Sequence, residues 1–195
     1  MLIVGNDPAR VEADLVAGRL ACPPCGGELG PWGHAQWRAL RRRDGHEEPM
    51  RPRRARCRMC KVTQVLLGDV ALLRRRDDAE TIGEAIQAKA SGLCHRRIAE
   101  ALGRHEDTVR GWLRAFVRAA EAIRVHFTRW AVALDPLLGP IEPTGGPLGD
   151  ALAAIGTATR AAVLAFGPRP VWSAVSAMSG GALLCNASVP FPAVP

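Results

Sequence analysis

Apolar residues recur at helical spacing on both sides of Gly103, within the segment 92–116. The residues that follow this period are Ile98, Ala101, Leu102, Val109, Trp112, Leu113 and Phe116. Gly103 provides the backbone freedom that a sharp turn between two helices requires. The pattern therefore predicts a helix-turn-helix.

Another helix is predicted directly before this motif. Either Asp77 or Asp78 can cap its N-terminus, and the helix would run to Ser91. Its apolar face is formed by Ile82, Ala85 and Ile86. This helix would support the other two and complete a trihelical module.

The second helix of the motif is predicted to be long, because its apolar positions continue in steps of four and three to Leu134. The seam consists of Val109, Leu113, Phe116, Ala120, Ile123, Phe127, Trp130 and Leu134. A second copy of the chain could cover this seam and form a homodimer through the Val109–Leu134 heptads. A predicted helix with apolar positions from Leu148 to Phe166 could cover it internally, and we favour this packing.

Two Cys-x-x-Cys pairs, Cys22 with Cys25 and Cys57 with Cys60, are the strongest local signal for a metal site. Each pair places two thiolates on the same side of a turn, and four thiolates complete a tetrahedral Zn²⁺ shell. Because such a shell leaves no position for water, we expect one structural zinc ion. His34 or His46 could replace one cysteine as a ligand.

The 31 residues between the two cysteine pairs predict a hairpin insert. Its arms would be 32–40 and 53–56, with 44–52 as the tip. The fold class is thus mainly α with a small β zinc ribbon. The predicted units are an N-terminal segment with a weak helical pattern (1–20), the ribbon with its basic insert (21–73), the helix-turn-helix (77–118), the long-helix extension with a C-terminal helix (119–167), and a tail without a recognisable motif (168–195).

Charge points to a polyanionic partner, since the net charge is +7 and the basic residues are concentrated in the first two-thirds of the chain. Nearly all of them are arginine, a bias that an Arg-rich, GC-rich coding background also produces. No apolar run reaches the length of a membrane span, and residues 1–14 lack the pattern of a secretory signal. We therefore expect a cytoplasmic, nucleoid-associated protein without membrane contact.

Candidate DNA contacts lie in the helix-turn-helix and in the basic insert. They are Arg96, Arg97, Arg104, His105, Asp107, Thr108, Arg110 and Arg114, together with Arg41, Arg42 and Arg43. Phosphate repels the carboxylates of Glu106 and Asp107 at the start of the recognition helix. Asp107 would serve as the helix N-cap or accept a hydrogen bond from cytosine. The alternative is a helical hairpin whose arginines are only solvated.

A zinc ribbon directly before a helix-turn-helix resembles the N-terminal DNA-binding half of bacterial insertion-sequence transposases. The four cysteines and the segments 97–103 and 108–113 carry this resemblance. As a whole the chain resembles zinc-ribbon plus helix-turn-helix proteins of high-GC bacteria that carry a domain of unknown function. The resemblance implies double-stranded DNA as a partner. A transposase is a possible second partner, and Glu106, Asp107 and the heptad seam would favour such a protein contact.

The catalytic half of a transposase has no counterpart here. Residues 117–195 contain only four acidic residues, Glu121, Asp135, Glu142 and Asp150, and the chain has no tyrosine. We expect a non-enzymatic DNA-binding protein that acts as a transcriptional regulator or a transposition-associated accessory factor. The alternatives are an adaptor for a transposase subunit or RNA polymerase, and a transposase remnant that kept binding without chemistry.

Overall fold

The computed structural model describes residues 1–185 and 191–194. Its N-terminal part contains six short strands and one helix: β1 Leu2–Val4, α1 Pro8–Val16, β2 Leu29–His34, β3 Arg38–Arg41, β4 Glu47–Met50, β5 Arg53–Cys57 and β6 Thr63–Gly68. Helices follow: α2 Ala79–Ala90, α3 His95–Leu102, α4 Glu106–Leu134, α5 Pro147–Phe166 and α6 Val171–Met178. The mainly α class with a small sheet is confirmed.

The first sheet has the strand order β1-β6-β5-β2, in which β1 runs parallel to β6 and the other pairs are antiparallel. Helix α1 begins after Asp7, whose side chain accepts a hydrogen bond from the Ala9 N–H at 2.9 Å. Its buried residues Val11 and Leu15 pack with Leu29 of β2 in a small core. This core supports the cysteine-bearing loops.

The insert is not the single hairpin that the sequence predicted. Strand β2 pairs with β5, and a separate hairpin, β3–β4, lies between them in sequence. The residues 44–52, predicted as the tip, therefore include strand β4. The pattern did not predict β1, because three residues are too few to show an alternation.

The trihelical module is formed by α2, α3 and the first half of α4. Asp78 is the N-cap of α2 and accepts a hydrogen bond from the Thr81 N–H at 2.8 Å, as the sequence predicted for Asp77 or Asp78. Gly103 ends α3 with φ of 61°, a left-handed conformation that glycine adopts without the steric cost of a Cβ. The three helices meet at Ile82, Ile98 and Phe116, which are all fully buried.

Helix α4 has 29 residues, and α5 packs along its second half. Small residues on α5, such as Ala151, Ala154 and Ala158, are buried and allow the two helices to approach closely. Because Ile123 and Phe127 of the seam are buried inside the same chain, the structure does not support the possible homodimer through the Val109–Leu134 heptads. Internal packing is confirmed.

By length and composition alone, α5 could cross a membrane. The sequence analysis had found no apolar run of that length. In the structure its buried face packs against α4, α6 and α2, as in the core helix of a helical bundle.

Helix α6 was not predicted, and it completes the helical core. The ring of Trp172 lies against α2 at Gly83, where a Cβ would come within 2.0 Å of the ring. Glu80 of α2 accepts hydrogen bonds from the Trp172 and Ser173 N–H groups at 3.0 and 3.1 Å and so caps α6. Within the predicted tail 168–195, residues 186–190 and 195 lie outside the described residues.

Candidate metal centre and nucleic-acid interface

The four cysteine thiols lie within 4.8 Å of one another. The Sγ atoms of Cys22 and Cys60 are 3.6 Å apart, and those of Cys25 and Cys57 are 3.5 Å apart. Zn–S bonds of about 2.3 Å in a tetrahedron place the sulfur atoms about 3.8 Å apart. All four cysteines are free thiols, so the cluster could hold a metal ion.

Two turns of similar conformation bring the thiols together. Gly26 follows Cys25 with φ of 70°, and Lys61 follows Cys60 with φ of 63°. Gly27 has no side chain where a Cβ would lie 2.9 Å from the Cβ of Met59, so the two turns can approach each other.

The pKa values of two thiols in the cluster are shifted in opposite directions. Burial raises the pKa of the Cys22 thiol to about 12. Burial also opposes ionisation of Cys57, but the N–H groups of Cys60 and Met59, which donate to its sulfur at 3.4 and 3.3 Å, help to lower its pKa to about 6. A divalent cation would compensate the negative charge of the four thiolates, of which those of Cys22 and Cys57 are buried.

Neither histidine of the insert contributes to this cluster. The group of metal-binding side chains contains four cysteines only, and His34 and His46 are exposed. The proposed replacement of a cysteine by one of these histidines is therefore not supported by the geometry. A shell of four protein ligands would leave no position for a reacting water molecule.

On the helix-turn-helix, basic side chains from three helices surround one open cleft of about 520 Å³. Lys89 comes from the end of α2, His95 from the start of α3, and Arg110 and Arg114 from α4. The sequence analysis did not select Lys89 or His95. The helical period of α2 and α3 could have placed them beside the recognition helix.

The predicted contacts Arg96, Arg97, Thr108 and Arg114 are exposed. Within the described part of the chain, Arg114 forms no ion pair or hydrogen bond through its guanidinium. A guanidinium without a carboxylate partner can bind phosphate without first breaking an ion pair.

The acidic start of α4 is neutralised by neighbouring side chains. Glu106 lies 2.8 Å from His95 Nε2 and 3.3 Å from Arg96 Nε, and the hydrogen bond to His95 is the main reason why its pKa is lowered. Asp107 forms an ion pair with Arg110. Two carboxylates at the start of α4 thus carry their own counter-charges.

Asp107 is not the N-cap of the recognition helix. His105 occupies that position, and its Nδ1 accepts a hydrogen bond from the Asp107 N–H at 3.2 Å. Asp107 lies in the first turn, where a negative charge is favourable near the positive end of the helix dipole.

The prediction that Arg104 faces solvent is wrong. Its side chain is 2% exposed and forms an ion pair with Asp77 at 2.5 Å. The guanidinium also donates hydrogen bonds to the backbone carbonyls of Leu102, at 2.9 Å, and of Arg42. Arg104 therefore stabilises the turn from the inside, and its buried guanidinium does not face solvent.

The predicted basic surface at Arg41, Arg42 and Arg43 is largely neutralised by carboxylates. Arg41 pairs with Glu47 at 3.5 Å, and Arg43 forms a bidentate ion pair with Glu84 of α2, with its Nε at 2.5 Å and its Nη2 at 3.1 Å from the two carboxylate oxygens. Arg42 contacts Glu48 and also lies 3.6 Å from Asp78. Arg42 and Arg43 attach the β3–β4 hairpin to α2, whereas the Arg41 pair lies within the hairpin. The structure does not present these three arginines as free phosphate contacts.

The chain joins a four-cysteine β unit to a trihelical helix-turn-helix that carries a basic groove. A helix-turn-helix with such a groove is a kind of domain that binds DNA. A family model described as a homeodomain-like domain matches residues 77–122. The match covers the trihelical module and the beginning of the extended part of α4. No curated protein and no solved structure matches the chain.

Proposed function

We propose that the protein is a non-catalytic DNA-binding protein that reads duplex DNA with the first turns of α4. The observation that carries the proposal is the cleft where Lys89, Arg110 and Arg114 converge from two helices of the homeodomain-like module. Phosphate neutralisation by such a groove releases counterions and makes affinity steeply dependent on salt. The protein would act on the nucleoid, in the cytoplasm.

The test is duplex binding measured across a range of salt concentrations with wild type and Arg114→Ala. If Arg114 binds one phosphate, the slope of log affinity against log salt should fall by about one. Arg129→Ala is the matched control, because Arg129 is an exposed arginine on the same helix about 22 Å further along its axis. Equal slopes for wild type and Arg114→Ala would refute this groove as the binding surface.

We further propose that the four cysteines hold one Zn²⁺ that stabilises the ribbon and has no catalytic role. Metal analysis should find one zinc per chain, lost when Cys57→Ser and Cys60→Ser are combined. Cys94→Ser is the control, because Cys94 is an exposed cysteine outside the cluster. A folded chain without metal would contradict the assignment.

The biological role is either transcriptional regulation or an accessory function in transposition. Supporting the second are the domain order and the motif resemblance to transposase N-terminal halves. Mapping of bound sites across the genome separates the two roles. A regulator would occupy promoter regions, whereas an accessory factor would occupy the ends of mobile elements.

A second candidate function, a protein adaptor, is favoured by one apolar region at the far end of the helical bundle. A groove of about 310 Å³ lies between α4, α5 and α6, and its lining includes Phe166, which is 67% exposed. An adaptor would keep its partner, such as a transposase subunit, in Arg114→Ala and lose it in Phe166→Asp. Co-purification with that partner in the absence of nucleic acid is the measurement.

A further inference from the structure

The tryptophans of the chain fall into two groups by exposure. Trp112 and Trp172 are buried in the helical core, and Trp130 is partly buried. Trp32 and Trp37 in the ribbon are instead 49% and 65% exposed. Two aromatic rings on the same small unit are therefore accessible enough to contact a ligand.

Each exposed tryptophan has an arginine guanidinium over its ring. The Cζ atom of Arg56 lies 4.5 Å from the centroid of Trp32, and that of Arg51 lies 5.8 Å from the centroid of Trp37. Arg56 is also held by a hydrogen bond from its Nε to the Lys61 carbonyl at 3.2 Å. The Trp32 pair is therefore an ordered aromatic and cationic platform.

Strand alternation gathers further positive charge on the same face. Ala55 and Cys57 of β5 are buried, so Arg54, Arg56 and Arg58 point to the outer side of the sheet. An open cleft of about 410 Å³ extends along this face and is lined by Trp32, Arg56, Arg58 and Lys61. Among the described residues that line it there is no carboxylate, although Arg58 pairs at its edge with Glu28 at 3.1 Å.

We propose that this face of the ribbon binds unpaired nucleotides, with a base stacked on Trp32 and the flanking phosphates bound by Arg56, Arg58 and Lys61. Stacking on an aromatic ring requires a base that is not paired inside a duplex, and a track of cations follows the backbone of a single strand. This site is separate from the duplex groove of the helix-turn-helix. The protein would thus hold a duplex and a single-stranded segment at the same time.

The first test uses the unmodified, zinc-loaded full chain and a single-stranded dT12 oligonucleotide. Tryptophan fluorescence should be quenched on binding, and an abasic 12-mer with the same phosphates should bind at least tenfold more weakly. Equal affinity for the two strands would overturn the proposal, because the face would then read charge alone. The proposal would also be overturned if dT12 failed to bind, or if a 12-residue oligoglutamate bound as tightly as dT12.

Variants then assign the site to a residue. Trp32→Ala should weaken dT12 binding by roughly 5- to 150-fold, the range expected for the loss of one stacked base, while Trp32→Phe should restore most of the affinity. Affinity for a duplex of the same length should not change in Trp32→Ala. Arg114→Ala should instead weaken binding of the duplex and leave the affinity for dT12 unchanged. Unchanged dT12 affinity in Trp32→Ala, with zinc content intact, would refute the role of this ring.

Discussion

Replacement of Arg104 by methionine should destabilise the protein without acting through a DNA contact. The guanidinium is buried, pairs with the buried carboxylate of Asp77, and donates to two backbone carbonyls. Methionine has a similar length but no charge, so Asp77 would stay buried without its partner. Removal of one member of a buried ion pair costs about 3–5 kcal/mol, because the remaining charge is uncompensated.

Combining Arg104→Met with Asp77→Leu distinguishes a buried ion pair from an unrelated loss of packing. The double variant leaves no unpaired charge, so its free energy of unfolding should be closer to wild type than that of Arg104→Met alone. Urea unfolding followed by circular dichroism, with zinc present throughout, measures these differences. Arg97→Met is the control, since Arg97 is an exposed arginine on α3 and should change stability by less than about 0.5 kcal/mol.

Two results would refute this reasoning. If Arg104→Met lost less than about 1 kcal/mol of stability, the ion pair with Asp77 would not be buried in solution. If it kept its stability but lost affinity for duplex DNA, Arg104 would be a surface contact, as the sequence alone suggested.

Three further predictions concern packing, backbone conformation and pH. Gly83→Ala should lower the free energy of unfolding by about 1–3 kcal/mol, because the added methyl group would overlap the Trp172 ring. Gly111→Ala has open space around its Cβ and should raise it by about 0.5–1 kcal/mol. Urea unfolding compares the two variants, and equal effects would contradict the packing of Trp172 on Gly83. Lys61→Gly should raise the free energy of unfolding by about 0.5–1 kcal/mol, since φ of 63° is costly for any residue with a Cβ. Thermal unfolding of the zinc-loaded protein measures the change, and a lower melting temperature in the variant would contradict the prediction. Burial lowers the pKa of His126 below its usual 6.5, so the unfolded chain binds a proton more readily than the folded chain. The free energy of unfolding should therefore be at its full value above pH 6.5 and fall below that pH, by at most about 1.4 kcal/mol per pH unit. Unfolding of His126→Gln, measured across the same pH range, should lack this part of the pH dependence.

The elements with a long or chemically specific pattern were predictable from the sequence. The apolar period identified α4 over seven turns, and the two Cys-x-x-Cys pairs predicted a cluster that the structure brings together. Helix α6 was missed because its eight residues are almost all apolar or small and give no contrast between two faces. Strand β1 was missed because it is defined by its pairing with β6, more than 60 residues away.

The candidate site was predictable only in part, because an arginine in a sequence does not reveal its partner. Arg104 and Arg114 both looked like exposed cations next to apolar positions. The first is turned inward by Asp77, 27 residues earlier. The second forms no ion pair with any carboxylate in residues 1–185 or 191–194. Likewise, the pairing of Arg43 with Glu84 depends on where the β3–β4 hairpin lies against α2. Such long-range pairs decide which charges are left for a ligand.

These same pairs connect the cysteine cluster to the helix-turn-helix. The β3–β4 hairpin belongs to the ribbon by sequence, yet the Arg41 N–H donates to the Arg76 carbonyl at 2.7 Å and the Asp78 N–H donates to the Arg41 carbonyl at 3.0 Å. Arg104, from the turn of the motif, donates to the carbonyl of Arg42. Strands β2 and β5 flank this hairpin in sequence, and the cysteine loops lie at their far end. The cysteine loops, the hairpin and the turn are thus connected by continuous strand and hydrogen-bond contacts. We therefore expect a metal ion at the cysteines to stabilise the turn that positions α4, although the cysteines lie outside the proposed DNA-binding groove.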